Sequence, residues 1–178
     1  MLSNIQALLP YSILVSHVVF VFLLLALIFK KSWGRHATHL LGKYSILLGF
    51  LVSVAAITGS LFYSEIVGYE PCVLCWWQRV FLYPQVVIFG MALWKRNHSP
   101  FIYAVPLVSL SAILALYHSY VYMGGTSILP CTALGGACSK VYVMAFGYIT
   151  IPMMSLTISL FILLLAFAHR SHEKNRNA

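Results

Sequence analysis

Residues 44–79 read YSILLGFLVSVAAITGSLFYSEIVGYEPCVLCWWQR, and this stretch decides the fold class. From Tyr44 to Ser64 it contains no Asp, Glu, Lys or Arg. A helix needs about 20 apolar residues to cross the roughly 30 Å hydrocarbon layer of a bilayer, so this segment predicts a membrane span. The run then meets Glu65 and Glu70 and reaches a Cys-Val-Leu-Cys sequence before turning apolar again at Trp76.

Four further runs outward from this one have the same character: Tyr11 to Phe29, Trp76 to Trp94, Phe101 to Tyr122 and Tyr148 to Ala168. None contains Asp, Glu or Lys, and only the run from Trp76 holds an Arg. The composition agrees. The 178 residues are 61% hydrophobic and 8% charged, with a mean hydropathy of +0.91. A soluble globule carries charge on about 25% of its residues. The expected architecture is an all-α integral membrane protein of five spans.

The formal net charge of +8 invites a nucleic-acid reading, which its distribution excludes. Lys30, Lys31, Arg35 and Lys43 lie between the first two runs, Lys95 and Arg96 between the third and fourth, and Arg170, Lys174 and Arg176 after the last. Basic residues at alternate connections are the positive-inside pattern of a multi-pass protein, not a surface for a phosphate backbone. They put the N-terminus outside, the C-terminus in the cytoplasm, and two loops outside, about Glu65 to Cys75 and Met123 to Gly147. The first run lacks a basic N-terminal flank and is long for a signal peptide, so a retained helix is expected. The tail after His169 reads as a short solvated end.

Gly49 and Ser53, then Ala56 and Ser60, place small residues four apart, as close helix packing in lipid requires. Pro84 and Pro106 fall inside spans and should kink them.

All four cysteines fall in the two outer loops, where an oxidising compartment lets disulfides persist. The first pair reads Glu70-Pro-Cys-Val-Leu-Cys-Trp-Trp-Gln-Arg79. Pro71 can open a helix, and Cys72 and Cys75 then sit at its first turn, where the helix dipole favours a thiolate. The short spacing makes any bridge between them strained and exchangeable. Arg79 lies one turn deeper on the same face as Cys75, where a fixed cation lowers a thiolate pKa or polarises an acceptor. The alternative is an arginine snorkelling to head groups.

The second pair reads Leu129-Pro-Cys-Thr-Ala-Leu-Gly-Gly-Ala-Cys138. Gly135 and Gly136 allow the turn that returns Cys138 to Cys131. Ile128, Leu129, Val141, Val143, Met144 and Phe146 make the loop apolar enough to lie along a membrane surface. A structural staple is the alternative for each pair. Zinc is a weaker reading: one CxxC and a six-residue spacing do not make paired knuckles, and neither outer loop offers a His.

These motifs resemble the DsbB family, membrane enzymes that reoxidise a secreted thiol oxidase and pass electrons to quinone. The likeness rests on Cys72-Val-Leu-Cys75 with Arg79, on the preceding Ser-Glu-Ile-Val-Gly-Tyr-Glu-Pro, on Tyr83-Pro84, and on Gly-Tyr-Ile-Thr-Ile-Pro within Phe146 to Leu156; it is closest to the Gram-positive type members. It covers about Lys43 to Ala168 and implies a four-helix bundle over residues 44–168, preceded by an extra transmembrane helix and basic connector over 1–43 and followed by a cytoplasmic tail over 169–178. The first helix and the close spacing of Cys131 and Cys138 depart from the family pattern.

The resemblance implies a relay in the cell (cytoplasmic) membrane. A DsbA-like thioredoxin-fold oxidase attacks Cys131–Cys138, the reduced pair passes electrons to Cys72–Cys75, and Cys75 hands them to ubiquinone or menaquinone near Arg79. His118, at the outer end of the fourth span, is the second expected quinone neighbour, with a packed histidine as the alternative; His17 reads as packing. The rivals are a vitamin K epoxide reductase-like enzyme, in which the CxxC follows the loop pair instead of preceding it, and a non-catalytic membrane subunit with structural disulfides. Catalytic pairs reduce readily under mild reductant, and staples resist.

Overall fold

The computed structural model describes residues 2–28, 32–95, 99–128, 138 and 140–176, with side chains described for 10–26 and from 38 onward within those ranges. Lys30, Lys31, Arg96 and the loop residues from Leu129 to Ala137, Cys131 among them, lie outside the described residues. The chain is helical almost throughout: α1 Leu2–Ile28, α2 Ser32–Leu61, α3 Val73–Leu82, α4 Pro84–Lys95, α5 Phe101–Tyr122 and α6 Ile151–Arg176. Among the described residues there is no strand, only an isolated bridge between Ala145 and Ile149.

Among the described residues, three segments are long and apolar enough to cross a membrane by length and composition: Thr38–Ile66, Phe101–Tyr122 and Ile151–Arg176. The helix after the first cysteine pair, expected as one span from Trp76 to Trp94, is instead two pieces of 10 and 12 residues. Pro84 brings no N–H to the ladder, so α3 stops at Leu82 and α4 begins at the proline itself. At this break the buried Gln85 side chain donates through Nε2 to the Phe81 carbonyl at 3.1 Å. Each piece alone rises only about 15–18 Å; in succession they match a bilayer thickness. Pro106 produces no such break, and α5 runs through it.

Two ends differ from the hydropathy reading. α2 begins at Ser32, well before Tyr44, and α6 continues through the expected polar tail to Arg176. Hydropathy marks the stretch that lipid tolerates, whereas a helix held by its own backbone bonds extends into water. In that tail His169 is buried, and Glu173 pairs with Arg176 at 2.9 Å.

α6 packs along both α2 and α5; α3 lies on α5, α4 on α2, and α1 across α2 and α6. Lipid offers no hydrophobic drive between helices, so close fit and polar bonds must hold them. A Cβ on Gly49 would lie 2.9 Å from the Phe89 ring, which therefore needs a glycine there to lie flat on α2. Phe89 is fully buried with Phe101, Ala104, Val108 and Ile162 in one half of the bundle. Polar ties join the helices: Ser45 Oγ with His169 Nδ1 at 2.9 Å, Ser159 Oγ donating to Ser111 Oγ at 3.3 Å, and His17 Nε2 with Thr157 Oγ1 at 2.8 Å. The last secures α1, and His17 is a packing residue as expected.

Candidate functional site

The other half of the bundle gathers the chemistry. Cys72 is the cap of α3: its backbone is extended (φ −72°, ψ 171°), and its sulfur accepts the Cys75 N–H at 3.4 Å. The Cys72 and Cys75 sulfurs are 3.1 Å apart, and both are free thiols. Two thiols so close cannot lose their protons alike. The hydrogen bond from Cys75 pulls the Cys72 thiol down to about 4; burial opposes this, and His118 adds to it. Cys75 is driven up by the same hydrogen bond and by burial, with the Arg79 charge a small opposing influence. One thiolate at the helix start is the result.

His118 comes from α5, 46 residues away in sequence. Its Nε2 is 3.6 Å from the Cys72 sulfur, and its Nδ1 is 3.1 Å from the Gln78 side-chain nitrogen. All three groups are buried. The Gln78 amide therefore fixes the ring that faces the thiolate. Sequence reasoning missed Gln78, although a polar residue one turn below Cys75 in an apolar helix was a usable signal.

Arg79 is half-buried and turned to α2. Its Nε donates to Ser60 Oγ at 3.0 Å and its terminal nitrogen to the Ser60 carbonyl at 3.2 Å, and its guanidinium lies 5.2 Å from the Trp76 ring centre. Tyr83 donates to the same Ser60 hydroxyl at 3.2 Å. Ser60, expected only as a small packing residue, is the anchor that holds Arg79 inside.

The described arm of the second loop, residues 140–143, is held from two sides. Tyr69 stacks on Tyr63 at 5.9 Å and on Tyr142 at 4.7 Å, with the Lys140 ammonium 4.8 Å from the Tyr142 ring centre. The Tyr122 hydroxyl donates to the Val143 carbonyl at 3.0 Å and accepts its N–H at 3.2 Å, standing in for a missing strand neighbour. Cys138 is disulfide-bonded, and it is buried in one cluster with Cys72, Leu74 and Val121. Cys131 lies outside the described residues. The structure thus brings Cys72, Cys75, Arg79, His118 and Cys138 to one place.

They open on a cavity of about 480 Å³. Arg79, His118, Tyr83 and both thiols line its cysteine end; Val52, Ala55, Ala56, Leu82, Ile158 and Phe161 make an apolar remainder. α1 contributes Ser12, Ile13 and Ser16 to the wall. The buried Tyr63 and Ser155 hydroxyls also line it, with no hydrogen-bond partner among the described residues. Such a site can hold a mostly apolar molecule with a few acceptor atoms against a reactive dithiol.

Residues 42–169 match the family described as "Disulfide bond formation protein DsbB". The chain is similar, at 38% identity over 119 residues, to a probable disulfide formation protein C of Bacillus cereus, covering 64% of this chain and 83% of that one. It is 40% identical over 113 residues to the SPbeta prophage-derived disulfide bond formation protein B of Bacillus subtilis, covering 64% and 76%. With the probable disulfide formation protein C 2 of Bacillus anthracis it shares 32% over 135 residues, covering 75% and 96%. No solved structure matches. The family match starts within α2, so α1 stands outside it.

Proposed function

The chain belongs to the DsbB family of disulfide bond formation proteins, and on that premise we propose that it is a membrane thiol:quinone oxidoreductase. The observation that carries this reading is the single cavity shared by the Cys72–Cys75 dithiol, Arg79 and His118. A quinone is a flat ring with two acceptor oxygens and an apolar tail. The residues fit it: the cations and N–H donors stand at the cysteine end, the apolar wall follows, and the Tyr63 and Ser155 hydroxyls have bonds to give. Arg79 and His118 would hold the carbonyl oxygens. The quinone supplies an electron sink that dissolves in lipid.

The chain's own residues do the rest. A dithiol of an extracytoplasmic thioredoxin-fold partner attacks the Cys131–Cys138 disulfide and leaves oxidised. Cys138, packed against Cys72, attacks the Cys72–Cys75 disulfide, and Cys131 closes on Cys138, leaving Cys72 and Cys75 reduced. When these two close again they give up two electrons and two protons. His118 is placed to move a proton at the Cys72 sulfur, and Arg79 to stabilise negative charge on the acceptor. A staple is disfavoured for the first pair: a structural disulfide gains nothing from a depressed thiol pKa or from a buried His–Gln pair beside it.

Five spans with both cysteine loops outside complete the proposal, supported by the alternation of basic connections. An impermeant thiol reagent should label all four reduced cysteines from the outside; labelling of Cys72 or Cys75 only from the cytoplasm contradicts it. For the chemistry, the fully reduced protein mixed anaerobically with quinone should lose two thiols per quinone consumed. Retention of all thiols would overturn the assignment.

A further inference from the structure

The sequence reading set zinc aside because neither outer loop holds a histidine. The fold supplies one from α5. Cys72 Sγ, Cys75 Sγ and His118 Nε2 all lie within 4.8 Å of one another, with the Cys72–His118 separation at 3.6 Å. Around a tetrahedral zinc, with Zn–S about 2.3 Å and Zn–N about 2.0 Å, ligand atoms stand roughly 3.5–3.8 Å apart. The Cys72–His118 spacing already matches, and the sulfurs, 3.1 Å apart, need only a small side-chain rotation to open. Thiolate and imidazole together suit a borderline-soft cation rather than magnesium or calcium.

Two further features make a site of this triad. Gln78 meets the other ring nitrogen of His118 at 3.1 Å; with its amide oxygen turned to that nitrogen it accepts the Nδ1–H and orients Nε2, as partners of metal-bound histidines do. The three residues line the cavity, which has room for a water as fourth ligand.

We propose that the dithiol form of this protein binds a thiophilic divalent cation, zinc above all, through Cys72, Cys75 and His118. Binding releases the remaining thiol protons and involves no electron transfer. Formation of the Cys72–Cys75 disulfide consumes both sulfur ligands, so the site exists only in the reduced state, and the bound cation withdraws both sulfurs from exchange. The inference stands on the geometry of three side chains and does not depend on quinone as acceptor.

The test uses the full chain in detergent, carrying Cys131→Ser and Cys138→Ser to remove competing thiols, reduced and kept anaerobic. Titration with cobalt(II) should give one equivalent bound, with sulfur-to-cobalt charge transfer and the visible bands of a tetrahedral centre, both displaced by zinc. The oxidised protein should give neither. His118→Ala should weaken binding at least tenfold, and His118→Cys, which restores a donor, should recover most of it; Gln78→Ala should cost about tenfold. Zinc should also slow alkylation of Cys72 and Cys75 in the parent protein. Absence of the charge-transfer band in the reduced protein, or equal affinity in His118→Ala, would overturn the proposal.

Discussion

His118 Nε2 stands 3.6 Å from the sulfur of Cys72, which joins a residue at the end of α5 to the cap of α3 and adds to the asymmetry that the Cys75 hydrogen bond sets in the dithiol. Cys72 carries the thiolate, with its pKa pulled down to about 4, while Cys75 keeps its proton. The thiolate is present above that pKa and is lost as pH falls through it. Alkylation of Cys72, followed by mass spectrometry of the reduced protein, should therefore stay level through neutral pH and drop only near pH 4. His118→Ala should move the drop upward in pH. A wild-type profile centred near the ordinary thiol value of about 8.5 would contradict this asymmetry.

Arg79 owes its place to Ser60. Arg79→Gln should weaken quinone use roughly ten- to a hundredfold, the worth of one hydrogen bond from a charged donor. Thiol exchange between the two cysteine pairs should be largely unchanged. Ser60→Ala should give a smaller loss of the same kind. An unaltered apparent affinity for quinone in Arg79→Gln would return the arginine to an interfacial role.

α1 walls the cavity through Ser12 and Ser16, although it lies outside the family match. Ser16→Leu should fill part of the space and raise the KM for quinone several-fold, with the rate of thiol exchange unchanged. The measurement is quinone-dependent turnover in detergent. An unchanged KM would leave α1 as a packing element.

In the proposed relay Cys138, buried in one cluster with Cys72, is the resolving thiol, and Cys131 meets the soluble partner. Cys138→Ser should accumulate a mixed disulfide through Cys131, visible on a non-reducing gel, and Cys131→Ser should not. The opposite pattern would reverse the polarity of the relay.

Gly49 gives Phe89 its seat on α2. Gly49→Val should cost about 1–3 kcal/mol by overpacking, read as a lowered melting temperature in detergent.

How much of this was legible in the sequence depends on range. Cys72, Cys75 and Arg79 share one helical turn or two, so spacing alone set their relationship; Pro71, read as opening the helix, lies before it, and Cys72 is the cap ahead of Val73. Gly49 correctly marked a close approach. Ser60 was read by size, and its hydroxyl found a partner 19 residues on that no local pattern discloses. The same limit hid the contact of Gln78 with His118, 40 residues apart, and the approach of His118 to the Cys72 sulfur. The helices α2 and α6 outrun the spans read for them because an apolar run reports lipid contact, not backbone bonding. Pro84 was read as a kink where the helix divides.

The central claim is that electrons from a thiol partner leave through Cys72 and Cys75 to a quinone. Its most direct measurement is catalytic quinone reduction by the purified protein, supplied with a reduced thioredoxin-fold oxidase as the only electron donor and followed by quinone absorbance. The account predicts one quinone reduced per partner disulfide formed, over many turnovers, and none with Cys72→Ser or Cys75→Ser. Oxidation of the partner without quinone reduction, or turnover that survives loss of Cys75, would contradict it.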